Sequence, residues 1–273
     1  MFWKRLLRHK IGLAGLIIIL FNLIIALLAP WIAPQDPLKV DIPNRASPPS
    51  KTFFFGTDDF GRDIFSRVVY GTRISLYIST LSVLIASLFG VLIGAIAGYY
   101  RGWIDNVTMR LMDAVMSFPA ILLAIAIMAV RGGSLDNVVI ALGFVYIPRF
   151  ARLVRGSVLS LKEKEFVEAA LAAGNSDTVI IFRHLLPNCA APLIVLATVY
   201  LAYAILAEAA LSFLGLGAPP PAPSWGNILS DARNLMLNAP WMTIFPGLAI
   251  TLAVVGFNLF GDALRDILDP RLR

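Results

Sequence analysis

Residues 11–33 read IGLAGLIIILFNLIIALLAPWIA, twenty-three positions without one Asp, Glu, Lys or Arg. About 20 apolar residues in a helix cross the hydrocarbon core of a bilayer, so this stretch is long enough to span. A signal peptide has a shorter apolar core, followed by small residues at its cleavage site. Here Pro30 and Trp31 stand where small residues would be needed, and the stretch reads as an uncleaved anchor. The rest of the chain has the same character. Of its 273 residues, 58% are hydrophobic and 15% charged, and mean hydropathy is +0.79. A soluble domain is roughly half apolar and a quarter charged. This composition excludes an ordinary soluble fold, and it excludes disorder, which needs low hydrophobicity and high charge. A single cysteine, Cys189, leaves no disulfide framework, and with only His9 and His184 no metal site is expected.

Working outward, residues 74–98 form a second charge-free run of twenty-five. A third candidate span, about 114–130, contains Pro119, which a membrane helix tolerates when neighbours satisfy the freed carbonyl. The fifth, about 189–214, is interrupted only by Glu208, and the sixth covers about 240–260. The fourth is short: only 137–148 lies uncharged between Asp136 and Arg149. Cations decide in its favour, because lysine and arginine concentrate on the cytoplasmic side. With six spans and the N-terminus inside, fifteen of the twenty-three cations fall inside and eight outside; deleting the fourth span would send the six between 149 and 183 outside. Arg149, Arg152 and Arg155 sit three apart, on one side of a helix, and are expected to snorkel to the cytoplasmic interface. The expected fold class is therefore all-α: a polytopic membrane bundle of six transmembrane helices, both termini cytoplasmic, in contact with lipid. The net charge of +6 is topogenic, and no aromatic-and-basic stretch points to nucleic acid.

Two outer segments are long. Residues 34–73 carry five prolines in their first half, which should be irregular, while 63–70 is amphipathic enough to lie along the interface. Residues 215–239 contain the run Pro219, Pro220, Pro221 and then Pro223, expected as a stiff extended stretch. Asp58, Asp59 and Asp63 could pass for catalytic carboxylates or a calcium site, but Arg62 and Arg67 beside them favour a salt-bridged structural segment. Gly90, Gly94 and Gly98 recur every four residues, a small-residue face for close helix packing. Glu208 is the one acid well inside a span, either a gate element or a satisfied polar residue.

The longest inner segment, 156–187, is the one able to build structure of its own. Residues 161–173 are rich in helix formers, Gly174 is a helix stop, and Asn175, Ser176 or Asp177 can cap a second helix. That helix, 178–186, should stop near Pro187. Phe166, Ala169, Ala170 and Ala173 recur at helical spacing and offer a narrow small-residue face for docking. Lys162 lies just outside that face and is expected to be nearly silent on substitution.

Glu168-Ala169-Ala170, three residues, Gly174, then a stretch ending Leu186-Pro187 resembles the EAA signature of ABC importer permeases. Three further stretches stand in register with it: FGTDDFGRDIFSR at 55–67, EAALSFLGLG at 208–217 with PSWG at 223–226, and DILDPRLR at 266–273. Together they resemble the C-type permease of the dipeptide, oligopeptide and nickel importers, along essentially the whole chain. The resemblance implies a type I importer permease: an anchor helix and extracytoplasmic segment over 1–70, a permease domain over 71–262 and a cytoplasmic tail over 263–273. It implies that Glu168, Ala169, Ala170, Gly174, Leu186 and Pro187 form an ATPase-coupling loop, with Glu208, Ser212 and Phe213 as gate or pathway residues. Implied partners are a homologous permease, two ABC ATPases that bind ATP and magnesium, and an extracytoplasmic binding protein delivering a peptide or a solute such as nickel or glutathione. The implied location is a bacterial or archaeal plasma membrane. The chain itself carries no phosphate-cradling Gly-x-x-x-x-Gly-Lys-Ser/Thr loop and no nucleophile or metal constellation, so no cofactor and no catalysis are expected. An intramembrane enzyme, or a stand-alone channel or secondary transporter, are the competing readings.

Overall fold

The computed structural model describes residues 2–268, with side chains from Arg5 onward, and among the described residues every named element is helical. A short helix α1 (Phe2–Arg8) leads into α2 (Lys10–Ile32). The two are separated at His9, whose extended backbone lets its Nδ1 accept from the Gly12 amide at 3.0 Å, a side-chain cap on a free helix N-terminus. The outer segment then folds into turns and a 3₁₀ turn, Ile42–Asn44. Four longer helices build the interior: α3 (Ile64–Tyr100), α6 (Leu135–Leu161), α9 (Leu186–Phe213) and α11 (Trp241–Leu268).

Gly90, Gly94 and Gly98 do what their spacing promises. A Cβ on Gly90 would stand 2.4 Å from Phe150 Cβ, and one on Gly94 would stand 2.3 Å from the Ala151 carbonyl oxygen. At Gly98 it would stand 2.9 Å from the Arg155 carbonyl oxygen. Successive glycines of α3 meet successive turns of α6, so the two helices run parallel with backbones in contact, where dispersion replaces the hydrophobic drive that lipid does not supply. A second pair uses the same device. Cβ atoms on Gly12 and Gly15 of α2 would meet Ala263 Cβ at 2.3 Å and the Phe260 nitrogen at 2.6 Å, which seats the anchor helix on α11.

Five helices are long and apolar enough to cross a membrane, and six if a bent pair is one span. The bent pair corrects the third span. In place of one helix over 114–130 there are α4 (Gly102–Met116) and α5 (Ala120–Arg131), 87° apart. Pro119 caps α5 instead of sitting inside a helix: it has no amide to give to a preceding turn, and it disfavours helical angles in the residue before it. The fourth span is corrected in the opposite direction. It is a full 27-residue helix running through all three arginines. Arg155 meets Asp105 at 2.5 Å and Arg152 meets Asp113 at 2.5 Å, so carboxylates of α4 neutralise two of the charges that made the run look short.

Residues 63–70 do not lie along an interface; they are the first turns of α3. Asp63 caps that helix, its Oδ2 accepting from the Ser66 amide at 2.9 Å. The boundary placed at 70/71 falls inside α3, and that at 262/263 inside α11. Residues 269–273, with most of the DILDPRLR motif, lie outside the described residues. The proline run is not an extended rod: the Ala222 amide donates to the Pro219 carbonyl at 3.2 Å and closes a turn before α10 (Trp225–Asp231).

Candidate functional site

The segment expected to form the coupling loop begins where α6 ends. Helix α7 (Glu165–Ala172) is closed by Gly174, whose φ of +77° lies in the left-handed region. The Gly174 amide donates to the Leu171 carbonyl at 2.9 Å and the Asn175 amide to the Ala170 carbonyl at 3.2 Å, the paired bonds of a Schellman ending. Asn175 Nδ2 also donates to the Ala170 carbonyl, at 3.0 Å. The elbow expected at Gly174 is thus present, with open space around the glycine.

The rest of the segment departs from expectation in three respects. First, the small-residue face is split. Ala170 and Val167 are buried against the chain's own core, beside Val158, Ile180 and Leu185, whereas Phe166, Glu168, Ala169 and Ala173 are exposed. Second, the helix after the elbow does not stop near Pro187. It starts as α8 (Asp177–Val179), widens into a π-helical turn over Ile180–Leu185 and continues as α9. The Leu186 amide donates to the Ile181 carbonyl, five residues back. Pro187 has no amide and its ring would crowd the carbonyl four residues earlier, and the wider turn removes that conflict. Leu186 is half-buried and Pro187 exposed. Third, Lys162 is tied down, its Nζ donating to the Tyr99 carbonyl at 2.6 Å and lying 4.6 Å from the Tyr99 ring centroid. Tyr99 in turn reaches Asp177, and Arg101 meets Glu163 at 2.8 Å. The lower end of α3 therefore holds the segment on both sides of its elbow, while Glu168, Ala169 and Gly174 face outward.

The opposite end is closed by a buried ionic cluster. Asp58 receives Arg62 Nε at 2.6 Å and Arg67 Nη1 at 2.5 Å, and both arginines reach Asp231, at 2.8 and 3.0 Å. Arg67 and Asp58 are almost wholly enclosed. Asp59 pairs separately with Arg45 Nε at 2.6 Å, and Asp63 is the cap of α3. The salt-bridged reading of this acidic stretch therefore holds in its geometry, and nothing in the sequence pattern pointed to Asp231, 169 residues from Arg62. Trp225 Nε1 donates to the Val68 carbonyl at 3.0 Å, fastening α10 to α3, and Trp241 Nε1 donates to the Thr57 carbonyl at 3.2 Å, fastening the 34–63 segment to the start of α11.

Glu208 is fully buried. Ser75 Oγ donates to its Oε2 at 2.9 Å and Ser212 Oγ to its Oε1 at 2.8 Å. Ser212 is as deeply buried, pressed by Gly226 of α10, and Phe213 is half-buried with Arg233 over its ring at 5.1 Å. Neither Glu208 nor Ser212 reaches a surface of the chain; they join α3, α9 and the 215–231 loop. No cluster of three or more metal-ligating side chains occurs among the described residues.

Residues 90–273 match the family described as binding-protein-dependent transport system inner membrane component, and residues 1–49 match the N-terminal transmembrane domain of oligopeptide transport permease C. A dipeptide transport system permease protein, DppC, of Alkalihalophilus pseudofirmus is 50% identical over 271 residues, 99% of this chain and 89% of that relative. A glutathione transport system permease protein, GsiD, of Pectobacterium atrosepticum is 45% identical over 273 residues, 100% of this chain and 91% of that relative. Among solved structures, an inward-facing MetNI methionine ABC transporter chain superposes with a TM-score of 0.62 at 19% identity, over 74% of this chain and 97% of that one, a likeness of fold.

Proposed function

Because the chain belongs to the family of binding-protein-dependent transport system inner membrane components, we propose that it is the C-type permease half of an ABC importer for peptides. It is a multi-pass inner-membrane protein. In this reading it pairs with a homologous permease, two ATPase subunits dock on its inner face, and an extracytoplasmic binding protein delivers the cargo. ATP and magnesium belong to the ATPases; this chain is non-catalytic, and its work is mechanical. In this reading both termini lie in the cytoplasm, a placement supported by the excess of cations on that side.

The observation that carries the reading is the exposed elbow around Gly174, held rigidly by α3 and continuous with α9. A docking point of this kind is useful only if its movement is passed into the bundle, and an unbroken helix does that. Closure of the ATPases would shift the elbow, and the bundle would alternate between inward- and outward-facing states. The names of the relatives favour a dipeptide, an oligopeptide or glutathione as cargo; nickel rests on the initial resemblance alone. The test is co-purification from the native operon. The chain should bring ATPase subunits with it, and by itself should hydrolyse no ATP above background. Turnover by the isolated chain, or its purification free of ATPases from cells that express them, would overturn the reading.

A further inference from the structure

Three arginines on α6 repeat at three-residue intervals, and their surroundings differ. Arg155 and Arg152 are each paired with an α4 carboxylate, Asp105 and Asp113. Rising numbers on α4 meet falling numbers on α6, so the helices are antiparallel and the next step along the seam brings Arg149 opposite the 87° break. No acid stands there, since residues 117–121 are Ser, Phe, Pro, Ala and Ile. Arg149 has no ion-pair partner among the described residues. It is the fifteenth residue of a 27-residue helix, about 20 Å from either end. Its side chain is exposed, unlike the buried Pro148 and Phe150 on either side of it.

At that level α5, α6 and α9 leave a cavity of about 560 Å³, lined by Ile121, Tyr146, Arg149, Tyr200 and Tyr203 among others. The size suits a small ligand. Its aromatic wall is continuous: Tyr146 and Tyr200 stand edge-to-face at 4.9 Å, and Tyr200 and Tyr203 at 5.7 Å. An ionisable side chain within a membrane helix faces a partner or a water-filled cavity and marks a substrate pathway. A guanidinium fork beside tyrosines is suited to a carboxylate that arrives on an organic body.

We propose that this cavity is a cargo-contact site in which Arg149 receives the free carboxylate of the transported molecule, with Tyr200 and Tyr203 against its body. The proposal rests on the transport reading above and narrows the cargo to carboxylate-bearing compounds. The test uses the purified assembly, with its co-purified partners, in nanodiscs, and the photoreactive dipeptide glycyl-p-benzoylphenylalanine as probe. Illumination should label the segment holding Tyr200 and Tyr203. Dialanine should compete and dialanine amide should not. Loss of one charge-assisted bond corresponds to about tenfold weaker labelling in Arg149→Gln, whereas Arg149→Lys, which keeps the charge and loses the fork, should fall between the two. Absence of label in the wild type, full labelling of Arg149→Gln, or equal competition by the amide would each overturn the proposal. So would suppression of the label by phosphatidylglycerol relative to phosphatidylcholine discs, which would make the site one for a lipid headgroup. Loss of the ATPases from Arg149→Gln would make the residue an assembly contact and overturn it equally. Failure of the wild-type chain to bring ATPases at all would instead sink the transport reading.

Discussion

The Tyr99 hydroxyl donates to Asp177 Oδ1 at 2.6 Å, joining the last turn of α3 to the first turn after the Gly174 elbow, 78 residues away in sequence. Since Lys162 grips the Tyr99 carbonyl from the other side of α7, one residue of α3 ties both ends of the segment that carries the elbow. The elbow is thereby tied to the end of α3 at two points.

Tyr99→Phe removes the first of these ties and little else. Asp177 is exposed, so the bond contributes about 1 kcal/mol, roughly a fivefold change in local opening. Amides of 175–185 should exchange faster by that factor while the middle of α3 stays protected, and transport should fall while the chain still inserts. Unchanged exchange would show that the tie is not what orders the segment.

Gly174→Val acts through the backbone, because a Cβ there meets nothing within 4 Å. Forcing a β-branched residue to φ +77° costs about 1–2 kcal/mol. Gly174→Asn, which tolerates that region, should cost much less. Transport and ATPase association should fall in the order Val, then Asn, with Glu168→Ala also mild. Lys162→Ala is unsuitable as the silent control, given its bonds to Tyr99; exposed Lys164 is the right one. Normal transport by Gly174→Val with ATPases bound would remove the elbow from the coupling path.

Asp58 and Asp231 share two arginines but not the same burial, 1% against 29% side-chain exposure. Asp58→Ala leaves two enclosed guanidinium groups sharing the partly exposed Asp231, one buried charge in excess, and should destabilise by up to about 3–5 kcal/mol. Asp231→Ala leaves both guanidinium groups on Asp58 and should be distinctly milder. Thermal unfolding of the two variants in the same detergent reads the difference, and an equal loss would mean that the cluster acts as one unit through the outer loops.

Topology is open to cysteine labelling, because the native Cys189 is fully buried and should give no background. Cysteines at Lys51 and Leu237, both exposed, should react with an impermeant maleimide from outside intact cells, and one at Lys164 should not. Labelling at 164 would reverse the orientation assigned to the elbow.

Apolar runs and cation counts located five of the spans, since these depend on local sequence alone, and missed the break that turns the third into a bent pair. The α3–α6 contact was legible for the same reason: a repeat of Gly90, Gly94 and Gly98 leaves few alternatives. The errors fall where distant residues decide. Arg152 and Arg155 looked like the end of the fourth span until α4 supplied Asp113 and Asp105, although two acids eight residues apart, on one side of α4, were a readable signal. Pro187 looked like a stop because its missing amide is visible in sequence and a compensating π turn is not. Ala169 and Ala170 shared a face on paper, but Ala170 belongs to the chain's own core, and no periodicity says which neighbour a short helix will choose. Glu208 gave its charge but not its serines, one of which, Ser75, is 133 residues away.

The wide turn over Ile180–Leu185 makes a crank of what would otherwise be a hinge. From Asp177 to Phe213 the chain is a single rod of 37 residues, about 55 Å long. Its foot is the elbow, and its head is buttoned by Glu208 and Ser212 to Ser75 and to the loop against Gly226. Tilting such a rod by about five degrees at the foot carries the head sideways by about 5 Å. In the proposed transport cycle a push at the foot would therefore arrive at the other end of the rod as a lateral stroke of the 215–231 loop, with no hydrogen bond along the shaft having to open.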